Sequence, residues 1–447
     1  MFDAASRRDG GFRYQVALAA IALAAGCAPQ SVAPPPVAAG AQQAERRASS
    51  VLPSPIKHVV IIIQENRSFD NLFQGFPGAN TAASGLVSNG QQVTLAPQSL
   101  EARFDLTHGL ADYLNGYDGG KMDGFDQEKV LGKATGQYPM YAYVPRSETA
   151  LYFELAQQYV LSDNTFASNL DDSFVAHQYL IAGQANSAVD LPTGIWGCDG
   201  LSGDEVGTIT HNRQTGGPES PCFDSNTLGD ELDARGLAWR FYAPTIGTTG
   251  GIWSAYQAIN HIRNGPEWAT NIISPQTNVL TDIKNGTLGA VTWVVPSWRD
   301  SDHPASKSKT GPAWVASVVN AVGESPFWNS TAIFVIWDDW GGWYDHVPPP
   351  QLDYDGLGFR VPMLVISPYS RRGRVSHVQF ESASILRFAE DTFSLPPMAA
   401  ADGRATDPAG DCLDFTQAPL PFRPIATGLR DADFLNEPRS SRAPDDD

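Results

Sequence analysis

The chain has 447 residues, 42% hydrophobic and 10% aromatic, enough apolar material for a large packed core in one domain or in two to three smaller ones. Its 30 Lys and Arg against 49 Asp and Glu leave a formal net charge of −19, which argues against a nucleic-acid partner because phosphate backbones would be repelled. An anionic substrate is compatible with that charge where the site concentrates positive charge locally, as a bound metal does.

At the N-terminus, Arg7, Arg8 and Arg13 precede the apolar run "VALAAIALAA" (Val16 to Ala25). Ten apolar residues are too few to span a bilayer and suit the core of a signal peptide, so residues 1–27 read as an export leader. The ending "LAAGC" resembles a lipoprotein cleavage box with Cys27 as the lipidated residue, although Ala24 stands where such a box usually carries Leu. An ordinary signal peptide cut nearby is the alternative, and "SRRDGGF" (Ser6 to Phe12) loosely resembles a twin-arginine signal with altered spacing. Each reading predicts an exported protein: periplasmic, cell-surface or extracellular. Residues 28–54 are rich in Pro, Ala, Ser and Gln and aperiodic, a flexible tether, and residues 437–447 read as a disordered tail.

Between tether and tail, short apolar runs of strand character recur. They are "HVVIII" (His58 to Ile63), "YVLSD" (Tyr159 to Asp163), "AWRFYAP" (Ala238 to Pro244), "AVTWVVP" (Ala290 to Pro296), "AIFVIW" (Ala332 to Trp337) and "PMLVIS" (Pro362 to Ser367). Several are continuously apolar rather than alternating, the mark of strands covered on both faces. Helical patterns fall between them at Ala150 to Gln158, Ser173 to Gln184, Gly311 to Ser325 and Glu381 to Phe393. Strands alternating with helices predict a three-layer α/β/α sandwich on a mostly parallel sheet, with ligands collecting beyond the carboxyl ends of the strands.

That rule selects the residues just beyond each run. Glu65 and Asn66 come after the first strand; Asp338 and Asp339 after "AIFVIW"; Ser301, Asp302 and His303 after "AVTWVVP". Asp171, Asp172 and Ser173 open the helix that contains His177. Converging Glu65, Asp338 and Asp339 would repel or take up protons without a cation, and oxygen ligands with an amide suit a divalent ion. Adjacent strand residues point to opposite faces, so both aspartates reach one ion only if the strand ends by about Trp337. The plainer reading of Asp338-Asp339 is a cap or turn with Gly341-Gly342. Ser173 is either a helix N-cap or a nucleophile whose hydroxyl a metal would activate. Among the eight histidines, His108, His303 and His346 lie in polar loops where nothing apolar accounts for them, and residue type alone leaves their roles open. In an exported protein, Cys198 and Cys222 flank a loop-like stretch and are expected to pair, leaving Cys412 over.

These motifs carry a family resemblance. "VVIIIQENRSFDNLF" is similar to the opening motif of the bacterial phospholipase C and acid phosphatase family, phosphoesterases related to the alkaline-phosphatase superfamily. The likeness continues through "GGKMDGF", "SDHP", "WDDWGGWYDHVPPP", "GFRVPMLVISPYSRRGRV", "SILRFAEDTFSLPPM" and "DFTQAP", over roughly residues 55 to 420 in the same order. It implies an alkaline-phosphatase-like α/β/α fold over residues 55–436 and a metal-dependent phosphoester hydrolase with a Ser or Thr nucleophile. By motif position, Glu65, Asn66, Ser173, Asp338 and Asp339 match the ligands of one metal ion, and Ser173 the nucleophile. His108 and His303 match phosphate-holding histidines. His346, with Asp345 and Arg67, is expected to give support around the site. A third phosphate-binding histidine is expected between residues 198 and 290, either His211 or His261. The implied substrate is a phosphoester, with phospholipids and soluble phosphomonoesters both open, and a lipid anchor on Cys27 would hold the protein at a membrane. A surface lipoprotein that keeps the fold without catalysis is the alternative. Two departures stand out: the family commonly has Asp-Glu-His where this chain has Asp338-Asp339-Trp340, and the Pro-Asn that often comes after the nucleophile is missing after Ser173.

Overall fold

The computed structural model describes residues 54–247 and 251–438; the expected leader with Cys27, the expected tether through residue 53 and the expected tail from 439 lie outside the described residues. Eight strands build the central sheet: β1 (His58–Gln64), β2 (Val160–Ser162), β3 (Trp239–Tyr242), β4 (Ile272–Ile273), β5 (Val291–Val294), β6 (Thr331–Trp337), β7 (Met363–Ile366) and β8 (Arg374–Ser376). Their order is β4-β3-β5-β1-β6-β7-β2-β8. β1 and β6, the two longest at seven residues each, lie at the centre and pair in parallel from His58↔Thr331 to Gln64↔Trp337. All seven residues of β6 are buried, as expected of a strand covered on both faces.

The sheet departs from all-parallel at β7, which runs antiparallel to both neighbours. The cause is local. The 338–362 connection returns along the carboxyl edge instead of crossing the sheet through a helix, so the next strand must run backwards.

Helices cover both faces. On one side lie α4 (Ser173–Ala182) and α6 (Ser384–Phe393): Trp293 Nε1–H donates to Leu180 O (3.0 Å), and Phe334 meets Phe388 at 5.0 Å. Trp293 and Phe334 share the sheet row of Ile61 and therefore point to one face. Trp337, three residues beyond Phe334, points the other way and meets Tyr152 of α3 (Arg146–Gln158) at 4.9 Å. α5 (Gly311–Gly323) packs beside α3. α3 starts four residues before the apolar pattern does, because its first turn after Pro145 is polar. α4 is buried at all ten positions and stops at Gly183, whose φ of 63° ends the helix in a left-handed cap.

A smaller aromatic cluster, including Tyr113, Phe125, Trp340, Trp343 and Phe359, packs around the 338–362 connection. Cys198 and Cys222 are joined in a disulfide, and Cys412 is a buried free thiol.

Candidate active site

β1 stops at Gln64, and the chain beyond it is anchored at once. Gln64 Nε2 donates to Asp300 O (3.1 Å) and the Glu65 N–H to Ser301 O (2.9 Å), tying the strand end to the 297–303 loop. Asn66 then adopts φ 54°, in the left-handed region that Asn tolerates better than most residues. The reversal turns its backbone N–H onto Asp338 Oδ1 (2.9 Å), while the Arg67 N–H donates to Asp339 O (3.0 Å). Because β6 ends at Trp337, Asp338 and Asp339 lie beyond the pleat and are free of its alternation. Gly341 closes the turn with φ 60°, and a Cβ there would lie 2.2 Å from Asn66 O.

Two polar groups form around these residues. In the first, Ser173 Oγ–H points at Asp339 Oδ2 (3.3 Å) and Asn66 Oδ1 (3.4 Å). His108 joins it from the loop before α2 (Leu110–Tyr117). Its Nδ1 lies 2.7 Å from Leu106 O, which fixes the proton there and leaves Nε2 to accept from Asn66 Nδ2 (2.8 Å), 3.7 Å from Asp339 Oδ2. In the second group, His177 Nε2 lies 3.0 Å from Glu65 Oε1 and 3.7 Å from Asp338 Oδ2. Glu65, Asp338 and Asp339 are all at most 1% exposed. A small cavity opens onto Ser173 and His108, lined also by Asp172, Leu191, Trp196 and Trp253.

Burial sets the electrostatics of both groups. Desolvation and the neighbouring Asp338 charge push Asp339 well above the usual carboxylate range. Desolvation pushes His177 down to about 4, against the pull of Asp338. Neighbouring buried carboxylates are tolerated when one is protonated or a cation lies between them. Asp338 Oδ2 is buried and accepts no hydrogen bond. The donors on hand are carboxylate oxygens, an amide oxygen, a hydroxyl and an imidazole nitrogen, a set that fits a divalent ion. Three of them, from Glu65, His177 and Asp338, lie within 4.8 Å of one another.

His303 reaches the site from the 297–303 loop. Its Nδ1 is 2.5 Å from Pro304 O and 3.4 Å from Asp105 Oδ2, and its ring packs on Trp298 (4.5 Å) and Trp253 (5.9 Å). A positive charge on its ring would hold Asp339 down, against burial and the Asp338 charge. Arg67 turns away from the cavity: Nε donates to Asp302 O (2.8 Å) and its guanidinium covers Trp343 at 4.9 Å. Burial lowers it to about 10 against the pull of Asp302. It pins the loop that carries His303.

Asp345 and His346 belong to a separate buried network under α1 (Phe69–Phe73). Arg360 forks onto Asp345 (2.8 and 3.0 Å), and His346 Nδ1 meets Asp70 Oδ2 at 2.6 Å. The two histidines offered for a third phosphate contact lie elsewhere. His261 sits between Asp224 (2.7 Å) and Asp230 (2.9 Å), and His211 packs edge-on to Tyr354 at 4.4 Å. His177 occupies the site instead. Its signal in the sequence is spacing: four residues after Ser173 is one helical turn further along the same face. Trp196 and Trp253 carry no comparable signal, because nothing in their local sequence points to the strand-end cluster.

The Phosphoesterase family model matches residues 56–396 of this chain. A non-hemolytic phospholipase C of Burkholderia pseudomallei is 28% identical, the alignment covering 83% of this chain and 59% of that protein. Phospholipase C B of Mycobacterium tuberculosis is 27% identical over 83% of this chain and 80% of that protein. Among solved structures, an alkaline phosphatase superfamily protein from Vibrio parahaemolyticus aligns with a TM-score of 0.37 and 11% identity, over 79% of this chain and 72% of that one.

Proposed function

The chain belongs to the phosphoesterase family, hydrolases of phosphoester bonds, and from that premise we propose that it is a metal-dependent, phospholipase C-like enzyme with Ser173 as its nucleophile. The observation that carries this reading is the position of Ser173 Oγ, 3.3 Å from Asp339 and 3.4 Å from Asn66, at the first residue of a buried helix and open to a cavity. The phospholipase C relatives favour a phospholipid over a soluble phosphomonoester as substrate.

Glu65, Asn66, Ser173, Asp338 and Asp339 would hold the metal ion. When bound, such an ion supplies charge stabilisation for an alkoxide and for the phosphoryl oxygens. Ser173 Oγ attacks phosphorus in line, and the bond to the diacylglycerol oxygen breaks as the Oγ–P bond forms. The Ser173 proton passes to Nε2 of His108, the ring nitrogen that carries none, and from there to the leaving oxygen, while His303 holds the phosphoryl oxygens. Water then cleaves the seryl phosphodiester, releasing the phosphorylated head group and restoring the Ser173 hydroxyl. The N-terminus of α4 faces the charge that develops.

The same reading takes residues 55–436 as the catalytic domain and the protein as exported, a compartment supported by the Cys198–Cys222 disulfide. Cell fractionation with and without residues 1–27, and a lipid label dependent on Cys27, test those two points.

The nucleophile is tested by Ser173→Ala on phosphatidylcholine and on p-nitrophenyl phosphorylcholine. Turnover is expected to fall by about 10³-fold or more with the fold unchanged. Retained turnover in a folded Ser173→Ala protein would overturn the assignment.

A further inference from the structure

We infer that His177 is itself a metal ligand, and that the ion is therefore one that accepts nitrogen, of the Mn²⁺, Fe²⁺, Co²⁺ or Zn²⁺ class, rather than Ca²⁺ or Mg²⁺. The inference rests on the metal-dependent reading above and goes beyond its all-oxygen donor set.

His177 Nε2 lies 3.0 Å from Glu65 Oε1 and 3.7 Å from Asp338 Oδ2, and all three donor atoms fall within 4.8 Å of one another. Metal–donor bonds of about 2.1 Å put neighbouring donors roughly 3.0 Å apart in an octahedron and roughly 3.4 Å apart in a tetrahedron. The observed separations bracket those edges. A hydrogen bond alone explains less: one Nε2–H has one proton, donated to Glu65, while Asp338 Oδ2 stays buried and accepts nothing. An ion shared by the three answers both carboxylates.

The fold also holds the imidazole where a ligand needs it. His177 is one turn beyond Ser173 on α4, so one rigid helix, buried at every position, carries the nucleophile and the nitrogen donor together. The indole of Trp253 lies parallel to the imidazole, 6.4 Å away with 5° between the planes, and is itself stacked on Trp298 at 5.6 Å. The ring plane is thereby limited to the orientation that aims Nε2 at Glu65 and Asp338. Ca²⁺ and Mg²⁺ take oxygen ligands, whereas imidazole suits the later first-row ions.

The test loads the full-length protein and its His177→Ala and His177→Gln variants with Mn²⁺ and reads the ¹⁴N coupling by electron spin-echo spectroscopy. Titration calorimetry with Zn²⁺ and with Mn²⁺ gives affinities, and circular dichroism checks folding. Wild-type protein is expected to show directly coordinated nitrogen that is lost in both variants, with affinity falling at least about tenfold. Unchanged affinity, or nitrogen coupling that persists in a folded variant, would overturn the role of His177 and leave the rest of the donor set standing. A wild-type protein that binds neither ion overturns the metal-dependent reading along with it. If neither variant folds, the wild-type spectrum decides alone: absent nitrogen coupling contradicts the inference.

Discussion

Replacing Arg360 with Met should unfold the protein several degrees early and leave the catalytic groups of the remaining folded molecules intact. Arg360 is fully buried, forks onto Asp345 at 2.8 and 3.0 Å, lies 3.6 Å from Asp70 and donates to the carbonyls of Asp163 (2.7 Å) and Asn80 (3.0 Å). Methionine fills much of the volume and keeps contact with Phe69, over which the guanidinium now sits at 4.8 Å, but leaves two buried carboxylates facing each other with His346 as the remaining neighbour of opposite sign. Removing one partner of a buried ion pair costs about 3–5 kcal/mol. At an unfolding entropy of about 2.1 cal/mol/K per residue over roughly 380 described residues, that is a fall in Tm of about 4–6 °C. Calorimetry reads the fall, and turnover per folded molecule at 25 °C reads the site. A shift below 1 °C would mean that this network does not hold the 338–362 connection in place. Normal stability with lost turnover would mean that Asp345 and His346 are not separate from the chemistry.

Other perturbations test other joints of the structure. Gly341→Ala meets both a positive φ and a backbone oxygen at 2.2 Å, so it should displace Asn66 and Asp339 together, lowering Tm and cutting turnover at least about 100-fold by kinetic assay. His346 is lowered by burial but raised more by its hydrogen bond to Asp70 together with the charges of Asp70 and Asp345, so its folded pKa lies above 6.5. Its contribution is therefore complete below about pH 6.5 and lost as pH rises through the folded value; His346→Gln should lower Tm more at pH 5.5 than at pH 8.5 in thermal melts. Cys198→Ser with Cys222→Ser opens a loop of 24 residues, worth about 3 kcal/mol, and should lower Tm by about 4 °C in a thermal melt without reductant. Because Trp196 beside Cys198 lines the cavity, the same double variant should raise KM more than it lowers kcat.

Much of the scaffold was readable because β1 and β6 are continuous β-branched and apolar runs, a pattern that a strand buried on both faces requires. The strand-end rule then brought out Glu65, Asn66, Asp338 and Asp339. Less readable was the direction of β7, which depends on the edge along which the 338–362 connection returns rather than on the composition of "PMLVIS". β4 and β8, of two and three residues, are too short to leave a pattern. His177 hid for another reason: it lies in a helix buried all round, where a histidine looks like one more core residue. Trp196 and Trp253 reach the cavity through long-range packing that no local spacing records.

Everything proposed for the chemistry turns on Ser173 carrying the phosphorus during turnover. Acid quenching of the enzyme within its first turnovers on phosphatidylcholine, with mass spectrometry of the peptide containing Ser173, detects that intermediate itself. The peptide is expected to gain the mass of phosphorylcholine on Ser173, transiently and in proportion to enzyme. An enzyme that turns over with that peptide unmodified at every quench time, or with the adduct on another residue, would show that Ser173 is not the nucleophile.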